Sequence, residues 1–566
     1  MSRGRSSTDE TVLRTTRRGA LAGLGTLGFG AVATTSGRAQ SSIDPDHGRT
    51  GPADGSFAEP DELEAFVDDL MAERIGDVTP GATVAVVEGD TPVLAKGYGI
   101  ADVDARTPVR ADQTAFRVGS VGKLVTWTAV MQGAQRGRLD LDADVDTYLG
   151  DSDVEVPDAY GDPVTLRHLG THTAGFESAL DPGLVASPDA LDPLETVLVD
   201  HRPDRIRPPG AAVGYSNYGA ALAGHVVAEA HDTTFEEYVR SEVLEPLAMT
   251  HSTFAQPVPE DRTGDLAVGH ARNGATFVPG DEFYIGMRPA GSLSATATDM
   301  ARFMSAHLGD GALGGTRILD AEAAQRMHDV HHVRHPAVNN WRYGFYEYGP
   351  PDANLLAHSG ATVHFGSLLV LAPEHDVGVF LNYNSDADEG DLEAVVDEIL
   401  EEYGVQPDVS SPSPTVDPNR RERLETVAGE YSSTLLPESG PAHVADILAR
   451  VSVRARDDGR LRTETLGGDI REWIETDPYV FHEVDGDDVL AFEATNGEVD
   501  VMNASNTQQG VYEPVPAGER RVVTGGAVGG SLSGFALSLL GWGAAGAWRR
   551  RNRFRSGDDS SREGSR

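Results

Sequence analysis

β-Forming sequence stands at both ends of a long helical segment, and this arrangement restricts the possible folds more than any other feature of the chain. Ala82–Glu88 and Val93–Gly99 are rich in β-branched and small apolar residues and are joined by Gly89-Asp90-Thr91-Pro92, a hairpin signal. Strand patterns return at Tyr343–Glu347, Leu355–His358, Gly366–Leu371 and Val377–Asn382, while residues 117–310 read mostly as helices broken by Pro and Gly loops. Strands this far apart bury their apolar faces by sharing one sheet. The expectation is therefore an α+β domain over 61–405: an antiparallel sheet completed by both ends, flanked by helices and carrying a helical insertion. Asp61–Arg74 and Leu392–Tyr403 have helical apolar spacing and supply the terminal helices.

A polar linker, 41–60, precedes this domain and a Ser/Pro/Asp-rich linker, 406–420, follows it. Residues 421–516 then read as short strands at Val451–Ala455, Arg460–Thr465, Val480–Glu483, Val489–Ala494 and Val499–Asn503, a small all-β domain. A short linker, 517–524, leads out of it. The ends read as addresses. Arg17-Arg18 before an uncharged Ala/Gly/Leu run, with small residues around Ala39, resembles a twin-arginine export signal over 1–40. Residues 525–548 carry no charge and, as a helix, would reach about 36 Å, enough for a hydrocarbon core of ~30 Å. The arginines of 549–566 follow at once, so a C-terminal transmembrane helix with a basic cytoplasmic tail is expected. The same Gly-Gly, apolar and Arg-rich tail also resembles those that sorting proteases remove.

Charge narrows the partners. The chain holds 46 basic against 89 acidic residues, a net of −43, and the segment between the two basic ends sits at −51. Such a surface repels phosphate backbones and speaks against nucleic acid as a partner. The membrane, through the C-terminal helix, and a small-molecule or peptide substrate are the expected partners. Only two of the basic residues are lysine, Lys96 and Lys123. Scarce Lys with abundant Asp and Glu resembles proteins of salt-in halophiles, in which molar salt screens self-repulsion. Cysteine is absent, which excludes disulfides and thiolate metal sites.

One of the two lysines falls in Gly119-Ser120-Val121-Gly122-Lys123, ahead of a helical stripe of Leu124, Val125, Thr128 and Met131. A helix starting near Gly119 places Ser120 in its first turn and Lys123 on the same face. There the amide groups favour developing negative charge, and the amine can activate the hydroxyl. Lysine is worth keeping where a tunable pKa is needed, because arginine does not deprotonate in a protein. Lys96, in the hairpin, reads as structural. Two further patterns follow. Tyr215-Ser216-Asn217 offers a phenol that can shuttle a proton and an amide that can orient a carbonyl. His358-Ser359-Gly360 stands before a strand, where Gly lets a substrate backbone approach closely.

Ser-x-x-Lys, Tyr-x-Asn and His-x-Gly in this order resemble the serine β-lactamase and penicillin-binding-protein superfamily, in its class C-like branch, over about 60–405. Thr165–Gly175 and Pro246–Thr250 add to the likeness. The resemblance implies Ser120 as nucleophile, Lys123 adjusting it, Tyr215 as general base and Asn217 as a substrate-amide ligand. It also implies His358 in place of the usual lysine of the third motif, with Ser359, Gly360 and Ala361 along the substrate and the amides of Ser120 and Ala361 as oxyanion hole. No cofactor is implied. The residues after Ala361-Thr362 are Val363-His364 where many relatives have Pro-Gly, which marks a departure at this edge. The small β-domain resembles lipocalin-like modules that follow such hydrolases, with packing or substrate capture both open. A rival metal reading, four histidines (His328, His331, His332 and His335) on one helical face, lacks the Glu of a metalloprotease motif and meets Pro336, so no metal is expected. The function implied is acyl transfer through a Ser120 ester to hydrolyse an amide, ester or lactam. The alternative is a catalytically silent receptor on the same fold.

Overall fold

The computed structural model describes residues 60–520 apart from 180–182, 260–264, 351–352, 387, 406–416, 418 and 441. The expected export signal and the expected membrane span at 525–548 lie outside the described residues. Among the described residues, no helix is long and apolar enough to cross a membrane.

The strands from the two ends of the first domain meet as expected. Gly81–Glu88 pairs antiparallel with Val377–Tyr383 on one side, Ala82 opposite Tyr383, and with Thr91–Asp102 on the other. The full order across the seven-stranded sheet is Tyr346–Tyr348, Leu355–Thr362, Phe365–Ala372, Val377–Tyr383, Gly81–Glu88, Thr91–Asp102, Thr107–Pro108. Gly81–Glu88 is buried at every position before Glu88, which explains its unbroken apolar sequence: both of its faces are covered. Val84 and Val86 pack with Leu63 and Val67 of helix Pro60–Arg74 and Val395 and Ile399 of helix Glu389–Glu402. Ala85 and Val87 point the other way, to Val125, Ala129, Met300 and Met304 of the inserted helices. Full burial of one such aliphatic side chain stabilises by roughly 1.5–3 kcal/mol.

The second domain is a closed eight-stranded barrel. Closure leaves no sheet edge to aggregate. Its interior holds Tyr431, Leu461, Trp473, Phe481, Phe492 and Met502. Three strands that the alternation pattern does not mark complete it: Gly429–Ser433, Ile470–Asp477 and Tyr512–Pro514. In Ile470–Asp477 the cause is Glu475, an inward-facing and fully buried acid held by the Arg423 guanidinium at 2.6 and 2.9 Å. A charged residue at a core position hides the period of two.

The barrel is docked on the first domain. Arg207, buried, is bridged to Glu513 at 2.6 Å and to Glu438. Arg334, also buried, donates to the carbonyls of Ala504 and Gly510 at 3.3 and 3.0 Å.

Candidate active site

Ser120 lies in a single 3-10 turn, Gly119–Gly122, and the α-helix Lys123–Gln135 begins at the lysine. This turn packs against strand Leu355–Thr362, and two glycines make the approach possible. Gly119 has φ +53°, and a Cβ there would stand 2.8 Å from the Ala361 nitrogen. A Cβ on Gly360 would stand 2.2 Å from the Val118 carbonyl oxygen. Ser367 ties the same place from the neighbouring strand, donating to Val118 O at 2.8 Å. The serine thus sits half-buried beside the Ala361 amide.

Lys123 is completely buried. Its Nζ lies 2.9 Å from Ser120 Oγ, 2.8 Å from Asn217 Oδ1 and 2.5 Å from the Ala290 carbonyl oxygen. Burial holds its pKa well below the ordinary lysine value. Asn217 is the first residue of helix Asn217–Ala230, whose N-cap Ser216 accepts from the Gly219 amide at 3.0 Å. That cap sets Tyr215 and Asn217 on either side of it. The Tyr215 ring stands 4.8 Å from Lys123 Nζ. Its hydroxyl is buried without a hydrogen-bond partner, and burial raises its pKa while nearby Ser120 acts to lower it.

His172 supports this loop from behind: its Nδ1 accepts from the Ser216 amide at 3.1 Å and its ring lies 4.4 Å from that of Tyr215. His358 is fully buried among Tyr215, Trp341 and Tyr346. Its Nδ1 is 2.6 Å from the Ser359 carbonyl, which only accepts, so Nδ1 carries the hydrogen and Nε2 is left as an acceptor with no partner. Burial lowers its pKa to about 3, so the ring is neutral.

Every residue of the three motifs is brought to one place. Val363-His364 forms the tight turn between strands Leu355–Thr362 and Phe365–Ala372, with His364 at φ +61° and its Nδ1 2.7 Å from Asp386. The four histidines of the rival reading do not share a face, because helix Ala321–His328 ends at the first of them. His328 meets His307, His331 the Arg326 carbonyl, and His335 the Ala337 amide. Lys96 is salt-bridged to Glu64 and Asp68 at 2.5 and 2.7 Å, on the far side of the hairpin.

Sequence reasoning left the barrel's role open between packing and substrate capture and named none of its residues at the site. The Tyr215 amide donates to the Gln509 carbonyl at 3.0 Å, and Gly214 bridges to Gly510. Trp341 Nε1 donates to Gln508 O at 2.8 Å, and Gln509 Nε2 to Ser359 Oγ at 3.3 Å. Gln508-Gln509-Gly510 carries no local signal of such a contact, since its partners lie in another domain.

The beta-lactamase family model matches residues 63–404. "Protein flp" of Staphylococcus aureus is 24% identical over 318 residues, 54% of this chain and 60% of that protein. A "Beta-lactamase" of Yersinia enterocolitica is 29% identical over 235 residues, 40% of this chain and 55% of its own length. The chain thus spans about three fifths of the curated relatives it matches. Among solved structures, SurE has a TM-score of 0.58 at 23% identity, covering 81% of this chain and 99% of its own. The octameric penicillin-binding protein homologue from Pyrococcus abyssi has a TM-score of 0.52 at 22% identity, covering 80% and 99%. Both coverages exceed what residues 63–404 alone can supply, so the shared fold extends into the barrel.

Proposed function

The chain belongs to the beta-lactamase family, and from that membership we propose that it is an exported, membrane-anchored serine hydrolase working through an acyl ester on Ser120. The observation that carries the chemistry is the set of partners around Lys123. Asn217 Oδ1 and the Ala290 carbonyl oxygen can only accept, whereas the Ser120 hydroxyl can also donate. A neutral amine has two hydrogens and one lone pair. It therefore fits this site with both hydrogens on the two carbonyl oxygens and the lone pair on the serine hydroxyl. Burial favours that neutral form.

In this reading Lys123 takes the Ser120 proton as Oγ adds to the substrate carbonyl carbon. The oxyanion lies between the amides of Ser120 and Ala361, where one such donor is typically worth ~2.7–4 kcal/mol. The tetrahedral adduct collapses by breaking the carbonyl bond to nitrogen or oxygen, and the leaving group takes the proton held by Lys123, relayed through the Tyr215 hydroxyl. Burial raises the Tyr215 pKa, which suits a phenol that passes a proton on better than the general base implied by resemblance. Water then attacks the ester and gives a proton to neutral Lys123, which passes it to Ser120 Oγ as the acyl–Oγ bond breaks. Asn217 Oδ1 is engaged by Lys123, so its Nδ2 is the donor for a substrate carbonyl.

Export and anchoring rest on Arg17-Arg18 with the apolar run behind it and on the uncharged 525–548 segment. Turnover of a panel of p-nitrophenyl esters, D-amino-acid amides and nitrocefin tests the enzymatic reading. At least one class should be hydrolysed, and Ser120→Ala should remove that activity. Turnover that survives Ser120→Ala would overturn the mechanism, and a wholly inert wild type would favour a ligand receptor.

A further inference from the structure

The strand edge beside Ser120 offers a substrate hydrogen-bond acceptors in place of a cation. His358, in the position of the third motif's usual cation, presents a neutral, buried Nε2 with no partner. The acids that face Tyr215 and Tyr346 are Glu389 and Glu393. Lys123 is committed to Ser120, Asn217 and Ala290. Burial raises the pKa of Glu389, at the start of helix Glu389–Glu402, and the Ser359 hydroxyl works against that rise. Glu393 follows one turn later, and its pKa is pushed up to about 8 by burial and by the charges of Glu389, Asp397 and the barrel's Asp488. Buried Arg334 is turned away to backbone carbonyls, those of Asn339, Ala504, Gln508 and Gly510.

The barrel closes this edge with an uncharged group. Gln509 is fixed at both ends, its carbonyl by the Tyr215 amide at 3.0 Å and its Nε2 on Ser359 Oγ at 3.3 Å. A carboxylate arriving here would meet the His358 lone pair with no cation to pair it, whereas an amide N–H or an ammonium would find acceptors waiting. We propose that His358, Ser359, Glu389 and the barrel's Gln509 form a subsite for an uncharged or cationic hydrogen-bond donor, an amide or an amine, next to the scissile bond, and that this subsite rejects a carboxylate. The inference rests on the acyl-transfer reading above. It makes the barrel a specificity element, since the subsite is incomplete without residue 509.

Two pairs of matched esters test it on the full chain: glycolate against glycolamide acetyl esters, and phenyl succinate against phenyl succinamate. The pairs place the carboxylate or carboxamide on the alcohol and on the acyl side respectively. In at least one pair kcat/KM for the carboxamide should exceed that for the carboxylate by about tenfold or more, as desolvating a carboxylate without a paired cation requires. Gln509→Lys, which brings a cation to the edge, should cut that ratio by at least about fivefold, and Glu389→Gln should cut it in the same direction. Rates within about twofold in both pairs, a preference for the carboxylate in both pairs, or a ratio unmoved in both variants while each unfolds at the wild-type temperature would overturn the subsite. Labelling of Ser120 by a fluorophosphonate in the same samples separates the two readings. Labelling without discrimination sinks the subsite alone, whereas no labelling and no turnover sinks the acyl-transfer reading on which it stands.

Discussion

Lys96 spends its charge on Glu64 and Asp68, while Lys123 is shut away from every carboxylate that could keep it charged, with burial as the sole cause acting on its pKa. Replacing each by arginine therefore has different consequences. Lys96→Arg keeps a cation among two acids and should leave turnover nearly unchanged. Lys123→Arg forces a larger, permanently charged group into a site that fits a neutral amine, and should lower kcat by about 10²–10⁴-fold or more. Retention of more than about a tenth of wild-type turnover would break the assigned role. The pH dependence has a definite sign. A lysine whose folded pKa is depressed becomes a competent base above that pKa, so acylation should rise with pH and level off well below 10.5. The same depression means that the unfolded chain binds the extra proton between the two pKa values, so this group destabilises the fold as pH falls from the unfolded value. Urea unfolding of Lys123→Met across pH 7 to 10 should show a flatter curve than wild type. Parallel curves would place a charged lysine in the folded site.

The turn Gly119–Gly122 and the strand Leu355–Thr362 form the unit that holds the nucleophile, and its tolerance is small. Gly360→Ala would bring a methyl to 2.2 Å from the Val118 carbonyl oxygen and 2.5 Å from Ser367 Oγ. Overpacking of this kind typically costs ~1–3 kcal/mol, and here it also pushes the strand away from Ser120. A lowered unfolding midpoint together with a lowered kcat is expected, and a variant as stable and active as wild type would mean that the two elements do not touch. Much of this unit was legible in the sequence. Strands at both ends of a helical segment announced the sheet, and the scarcity of lysine singled out Ser120-x-x-Lys123. The start of the helix was less so, because a single 3-10 turn and a first α-helical turn differ in hydrogen bonding, not in residue pattern. Glu475 hid one barrel strand by carrying charge inward, and Gln509 gave no sign at all, because its partners Tyr215 and Ser359 are about 300 and 150 residues away and in another domain.

Across the whole molecule the net charge of −43 works against compactness, and surface repulsion of this kind is screened over ~10 Å at 0.1 M salt but ~3 Å at 1 M. The unfolding temperature should therefore climb with KCl between those concentrations, and a flat profile would leave the acid excess without a role in stability. The barrel's seat combines charge and backbone bonding, with Arg207 between Glu438 and Glu513. Arg207→Ala strands two carboxylates at the domain junction and should loosen the Gln509 segment, seen as faster amide exchange at Tyr215, whose N–H that segment accepts. The most direct measurement is intact-mass analysis of the protein quenched during turnover of its best ester or amide substrate. A single adduct equal to the acyl group, mapped to Ser120 and absent from Ser120→Ala, is predicted. Turnover with no adduct under any quench, or an adduct on another residue, would contradict the covalent route and the role given to every residue around it.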